Sequence, residues 1–168
     1  GENQPVGSFT SVSAGGVHGC AVEEEGTIRC WGNYDDRGQV SNTPTTNGFT
    51  SVTVGYFHSC ALQENGSVMC WGVDDESDYD YGQVVHTPSD IGFVQLEAGW
   101  HHTCALNDSG QTTCWGNNFY QESSPPTDTT FVDIDLGYAF GCGVTETQEI
   151  KCWGVQDGGE LDYGQVTN

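Results

Sequence analysis

Apolar residues recur along this chain in short runs broken by glycine, and no stretch holds a helical period for long. In runs such as Cys20–Val22 and Ile28–Cys30 apolar positions alternate with small or polar ones, the period-two mark of half-buried strands. By parity Cys20, Val22, Ile28 and Cys30 share one face, and Cys60, Leu62, Val68 and Cys70 repeat it. The opposite face carries small residues at Ala21, Ala61 and Ala105, so a neighbouring sheet can approach it closely. With 24 glycines marking the breaks, the pattern predicts an all-β chain of many turns.

The runs themselves repeat. Units begin at Phe9, Phe49, Phe93 and Phe131, spaced by 40, 44 and 38 residues. They divide one repeat domain, 1–168, into repeats 9–48, 49–92, 93–130 and 131–168. Each unit reads Phe-x-x-apolar-x-x-Gly-x-x-His-x-Cys-small-apolar, then Gly-x-apolar-x-Cys-Trp-Gly after a turn, then Gly-Gln-Val, with departures in the third and fourth copies.

The cysteines set the register. They fall at Cys20/Cys30, Cys60/Cys70, Cys104/Cys114 and Cys142/Cys152, each pair ten positions apart. If Cys20 faces Cys30 across two antiparallel strands, Glu24-Glu25-Gly26 is left as a three-residue loop, the kind that wants glycine last in the left-handed conformation. The same construction gives Glu64-Asn65-Gly66 and Asp108-Ser109-Gly110. The fourth copy gives Glu146-Thr147-Gln148, and that turn is expected to be strained or differently shaped. An even cysteine count at fixed spacing reads as a disulfide framework, one rung per hairpin, and nine intervening residues do not suit a zinc pair. Each rung contributes about 2–3 kcal/mol by loop entropy. The tryptophan after the second cysteine points the other way, as a wedge between adjacent sheets. With the Phe-led run as first strand and Gly-Gln-Val as last, each unit is predicted to supply four strands, the pattern of propeller blades.

The succession "GYFHSCAL…GSVMCWG…GQV" in Gly55–Val84 resembles the repeat of the regulator of chromosome condensation family, and the likeness covers nearly the whole chain. It implies a β-propeller of four-stranded blades about a channel. Members of that family serve as exchange factors for a small nuclear GTPase, as secreted β-lactamase-inhibiting propellers and as receptor ectodomains, and this cysteine-rich version looks most like the extracellular kinds. Four repeats in one chain leave three arrangements: a ring completed by a second copy as a homodimer, a fragment of a larger ring, or a tight four-bladed ring. The third unit replaces Gly-Gln-Val with "NNFYQESSPPTDTT", and the fourth has Phe140 where the others have His18, His58 and His102.

Charge narrows the partners. Three Lys and Arg stand against 24 Asp and Glu, a net charge of −21. Nucleic acid and anionic membrane surfaces are excluded as partners, because both need a basic patch. No apolar run is long enough to insert in a membrane, and Gly1–Gly7 lack an export signal, so any such signal lies outside this sequence. Disulfides persist where the surroundings oxidise, so the expected place is extracellular or the cell surface.

The candidate binding residues lie in the loops after each Trp-Gly, which vary while their flanks repeat. They are Tyr34, Asp35 and Asp36 in the first loop and Asp75, Asp78, Tyr79, Asp80 and Tyr81 in the second. Phe119 and Tyr120 follow in the third loop, and Tyr163 in the fourth. Tyrosine among carboxylates reads as a protein contact surface. Asp74, Asp75, Asp78 and Asp80 offer oxygens to calcium, but no Asp-x-Asp-x-Asp-Gly loop is spelled out. His18, His58 and His102 are read as structural residues bonding backbone in the next blade, not as a metal triad. No nucleophile elbow, phosphate loop or isolated Cys-His pair is present, so neither catalytic residue, metal nor cofactor is assigned. The expected function is a non-catalytic protein-binding propeller. The alternatives are a carbohydrate-binding or glycan-hydrolysing propeller, and a structural repeat array in a larger surface protein.

Overall fold

The computed structural model describes residues 5–156 and 158–166. Among these described residues twelve strands form four antiparallel sheets, each from consecutive strands with the middle one central. Sheet 1 is β1 (Phe9–Ala14), β2 (Gly19–Glu23) and β3 (Ile28–Trp31); sheet 2 is β4 (Phe49–Val54), β5 (His58–Gln63) and β6 (Val68–Gly72). Sheet 3 is β7 (Phe93–Ala98), β8 (His102–Asn107) and β9 (Thr112–Gly116); sheet 4 is β10 (Phe131–Leu136), β11 (Phe140–Thr145) and β12 (Ile150–Gly154).

The hairpin register is the one that the cysteine spacing demands. Cys20 lies opposite Cys30, Cys60 opposite Cys70, Cys104 opposite Cys114 and Cys142 opposite Cys152, and each pair is disulfide-bonded. In the three-residue loops Gly26, Gly66 and Gly110 take φ of +78°, +77° and +81°. Gln148 takes φ +64° and keeps the same closing bond, its N–H donating to Thr145 O as Gly26 donates to Glu23 O. The fourth turn therefore keeps the shape of the others and carries the strain of a side chain in the left-handed region. A bulge between the first and third residues of each leading strand, not expected from the pattern, recurs in all four sheets.

The blades have three strands, not the four expected. Gly-Gln-Val forms a turn, because its glycine takes φ of +73° at Gly38 and +80° at Gly82, which breaks an extended run. Its glutamine is a plug. Gln39 and Gln83 are wholly buried. Gln39 Oε1 accepts from Arg37 N–H at 3.0 Å, while its Nε2 donates to Tyr34 O at 2.9 Å. Gln83 bonds Tyr81 N–H and Tyr79 O in the same way. The plug's own carbonyl then accepts the indole N–H of the next repeat: Trp71 reaches Gln39 O at 3.1 Å and Trp115 reaches Gln83 O at 2.9 Å.

The third repeat conserves the device with altered chemistry. Gln121 takes the glycine's place at φ +65°, and the 1 % exposed Glu122 takes the glutamine's. Glu122 Oε2 accepts from Tyr120 N–H at 2.7 Å and its carbonyl accepts from Trp153 at 3.0 Å. A carboxylate lacks the N–H that Gln39 and Gln83 donate to a loop carbonyl, and burial pushes the Glu122 carboxyl up toward its protonated form.

The tryptophans fill seams between consecutive sheets. Cys20, Val22 and Ile28 of sheet 1 meet Phe49, Val52 and Trp71 of sheet 2. Cys60 and Leu62 then meet Phe93, Leu96 and Trp115, and Cys104 and Leu106 meet Phe131, Ile134 and Trp153. At the inner end the glycine of Gly-x-x-His is forced by close approach, since a Cβ on Gly15 would lie 2.0 Å from Gly55 O. Three seams thus make an arc of four sheets.

Two substitutions test this account. Gln148→Gly should raise the unfolding free energy in urea by about 0.5–1 kcal/mol by removing the left-handed strain. Glu122→Gln should stabilise by about 1 kcal/mol at pH 8 by restoring the donor. Because burial raises the folded-state pKa of Glu122, its contribution is complete below the ordinary carboxylate pKa and declines as pH rises. The gap between Glu122→Gln and the parent should therefore narrow in urea titrations repeated at about pH 4.

Candidate binding face

The loop that follows each Trp-Gly is held by one side chain, usually an aspartate. Asp35 Oδ1 accepts from Val40 N–H at 2.7 Å, and both its oxygens accept from Ser41 N–H. Against partial desolvation, these amides hold its carboxyl below the ordinary range. Asp80 accepts from Asp75, Glu76 and Gly82 N–H, each at 3.0 Å. Asp75 accepts from Ser77 N–H and pairs with Arg37. Of the acidic candidates, Asp35, Asp75 and Asp80 are thus committed to shaping loops, while Asp36 and Asp78 are exposed. Among the described residues no three His, Cys, Asp or Glu side chains converge as a metal set.

The first two repeat histidines each bond a side-chain hydroxyl of the next sheet, not its backbone. His18 Nε2 lies 2.7 Å from Ser59 Oγ and His58 Nε2 lies 2.8 Å from Thr103 Oγ1. His102 faces sheet 4, where Gly141 stands at the hydroxyl's position, and neither ring nitrogen has a hydrogen-bond partner. Burial lowers the pKa of His18 to about 4, of His58 to about 3 and of His102 to about 4, so all three are neutral and structural near pH 7.

The aromatic candidates come together, along with residues that the sequence pattern passed over. The two positions between glycine and histidine in Gly-x-x-His are Tyr56 and Phe57, Trp100 and His101, and Tyr138 and Ala139. They sit at the tips of the turns joining the first two strands of sheets 2, 3 and 4. Backbone bonds pin turn to turn, Gly16 N–H to Gly55 O at 3.1 Å and Tyr56 N–H to Trp100 O at 2.9 Å. That spacing stacks Tyr56 on Trp100 with ring centroids 4.6 Å apart, and sets Trp100 4.3 Å from Tyr138. Phe57 joins the row to the loops, 5.8 Å from Tyr34 and 5.1 Å from Tyr79. His101 lies 5.3 Å from Tyr81 and 6.2 Å from Tyr79.

Between these rings opens a pocket of about 350 Å³, walled by Tyr79, Tyr81, His101, Phe119, Tyr120 and Tyr138. Glu122, Asn117, Ala139 and Leu161 complete its lining. Tyr79, Tyr81, Trp100 and Tyr138 each keep 40–44 % of their surface exposed, and Phe119 keeps 81 %. Tyr34 stands at the far end of the row, whereas Tyr163, 85 % exposed, is absent from the pocket, where its loop contributes Leu161. The signal in the sequence is an aromatic residue just after the glycine of Gly-x-x-His in the last three repeats, Tyr56, Trp100 and Tyr138. Only the return of that turn to the face of the Trp-Gly loops makes them neighbours.

One guanidinium already lies on this face: Arg37 Cζ stands 5.9 Å from the centroid of the Tyr79 ring. Among the described residues no Lys or Arg lines the pocket. Aromatic walls without competing cations suit a positively charged or flat apolar group.

Comparison with known proteins bears on the whole arrangement. The repeat model described as "Regulator of chromosome condensation (RCC1) repeat" matches residues 9–39, 49–83 and 93–122. No curated protein matches the chain in sequence. The ectodomain of the Physcomitrella patens receptor kinase CR4 superposes with a TM-score of 0.71 at 30 % identity, over 85 % of this chain and 38 % of that one. The ectodomain of the Arabidopsis thaliana receptor kinase ACR4 gives 0.73 at 24 %, over 85 % and 49 %. Saccharomyces cerevisiae Prp20p, whose structure was described with its binding to Gsp1p and histones, gives 0.74 at 16 %, over 91 % and 47 %. The chain therefore spans less than half the length of each of these solved chains. Together the repeat match over most of sheets 1–3 and the superposition of the blades place this chain in the regulator of chromosome condensation (RCC1) repeat family.

Proposed function

We propose that the chain is part of an extracellular or cell-surface propeller that binds a protein partner without catalysis, through the aromatic face around the Tyr79–Tyr138 pocket. The observation that carries this is the pocket itself: open, aromatic on most sides and free of Lys and Arg, on a chain of net charge −21. A basic segment of a partner is the chemistry that fits. The acidic surface raises its local concentration, and a Lys or Arg head over the rings gains about 0.5–2 kcal/mol by cation–π attraction. The Arg37–Tyr79 contact is an example within the chain. Four disulfides and the likeness to two receptor-kinase ectodomains support the extracellular setting.

The test is titration with a short Arg- and Lys-containing peptide, followed by isothermal calorimetry. Trp100→Ala and Tyr81→Ala should each weaken binding about tenfold, or about 1.4 kcal/mol, while raising the salt concentration weakens all variants alike. Equal affinity in the parent and both variants would place the site elsewhere. A response to a neutral oligosaccharide with none to the peptide would replace the protein partner by a glycan.

A further inference from the structure

The plug of the third repeat breaks the rule of the others twice. Gln39, Gln83 and Gln165 each follow a glycine and close their loops with an amide, which accepts from a loop N–H and donates to a loop carbonyl. In the third repeat Gln121 takes the left-handed conformation that belongs to Gly38, Gly82 and Gly164 elsewhere, and Glu122 brings a carboxyl in place of the amide. Glutamine has the same size and would supply the missing donor, so nothing in closing the loop calls for an acid. Backbone strain and a costly buried acid in one loop point to a role beyond the fold.

The exception falls where the aromatic pocket opens. Glu122 lines that pocket with Tyr79, Tyr81, His101, Tyr120 and Tyr138 while only 1 % exposed, so it lies at the base and not on the rim. Its carboxyl accepts from Tyr120 N–H, which ties it to one wall. The Tyr138 phenol is raised by burial first and then by the nearness of Tyr120, Tyr81 and Glu122, so these oxygens crowd one space. Burial also holds His101 below its ordinary pKa, and its Nδ1 has no hydrogen-bond partner among the described residues. The pocket is thus lined with acceptors and lacks a cation. A buried carboxyl in such a place keeps its charge only when a partner brings the opposite one.

We propose that Glu122 is the specificity-determining residue of this face, pairing with the guanidinium of an arginine that a protein partner inserts between the rings. This rests on the aromatic face being the binding site. A guanidinium is planar and stacks on ring faces, as Arg37 approaches Tyr79. It carries five N–H donors into a site of acceptors, and its permanent charge holds the carboxyl ionised as it enters. An ammonium matches the charge without the plane or the fork, so lysine is the weaker ligand.

The experiment is isothermal calorimetry with three basic peptides identical except at one position, which holds arginine, lysine or citrulline, the neutral isostere of arginine. The parent should bind the arginine peptide about tenfold more tightly than the citrulline peptide, with lysine between. In Glu122→Gln the arginine and citrulline peptides should come within about threefold of each other, which is the coupling of a direct pair. Urea unfolding of Glu122→Gln should show a fold at least as stable as the parent, so lost preference cannot be lost structure. Asp108→Asn removes one charge from an exposed hairpin loop at the other end of the strands and should keep the tenfold preference. Failure of the parent to bind the arginine peptide at all overturns both this proposal and the aromatic face as the site. Binding that Trp100→Ala weakens but Glu122→Gln does not leaves the face standing and overturns the role of Glu122. Equal affinity of the parent for arginine and citrulline, or for arginine and lysine, overturns the guanidinium, and an equal loss of preference in Asp108→Asn overturns a local pair in favour of net charge.

Discussion

Everything in this chain hangs on the indole N–H of one repeat finding the carbonyl of the repeat before it. A tryptophan between sheets supplies the largest apolar surface in the seam, but burying it requires a partner for its nitrogen. The partner is the main chain of a buried Gln or Glu whose own side chain closes a loop at the end of the preceding sheet. Each repeat therefore completes its neighbour's core, and none has a full core by itself. This is the nearest-neighbour stability expected of stacked repeats. It also explains why the third repeat retains the plug although its sequence has drifted: a change that opened that loop would leave the buried indole of Trp153 without an acceptor.

The parts of the fold legible in the sequence are those that depend on spacing alone. Cysteine separation determines which residues face each other, and parity then sorts the faces. The loop glycine follows from a backbone conformation that few other residues adopt, and Gln148 shows that the register holds even where that residue is missing. The misread element was Gly-Gln-Val, which looks like a strand because a β-branched residue ends it. A buried amide bonded to its own loop leaves no periodic trace, and neither does Glu122, disguised by Gln121 in the place of glycine. The candidate binding face was half legible for a similar reason. Tyr79, Tyr81, Phe119 and Tyr120 lie in loops that vary visibly, whereas Trp100 and Tyr138 both occupy the first variable position of a motif defined by its constant ones. Their proximity to the loops is a property of the tertiary fold.

The division of labour between acid and aromatic residues on this face is sharper in the structure than in the composition. Asp35, Asp80 and Asp162 each accept backbone N–H groups of their own loops, Asp162 from Gly158 and Gly164. In the third loop Asn118 Oδ1 accepts from Ser123 N–H. These side chains set the loop shape, and the three aspartates, held below the ordinary carboxylate range, keep their charge beside exposed rings. Such a surface attracts at long range through charge and holds at short range through flat, stiff side chains that lose little entropy on contact.

All four disulfides stay within a hairpin, and none crosses a seam. During synthesis each thiol meets its partner once its own hairpin has formed, long before the later repeats exist. Closing so short a loop takes well under a microsecond, so oxidation can follow the chain as it emerges without waiting for the arc to assemble. Local pairing of this kind keeps distant cysteines from competing. A long repeat protein built this way faces the same simple oxidation problem at every step, however many repeats it contains.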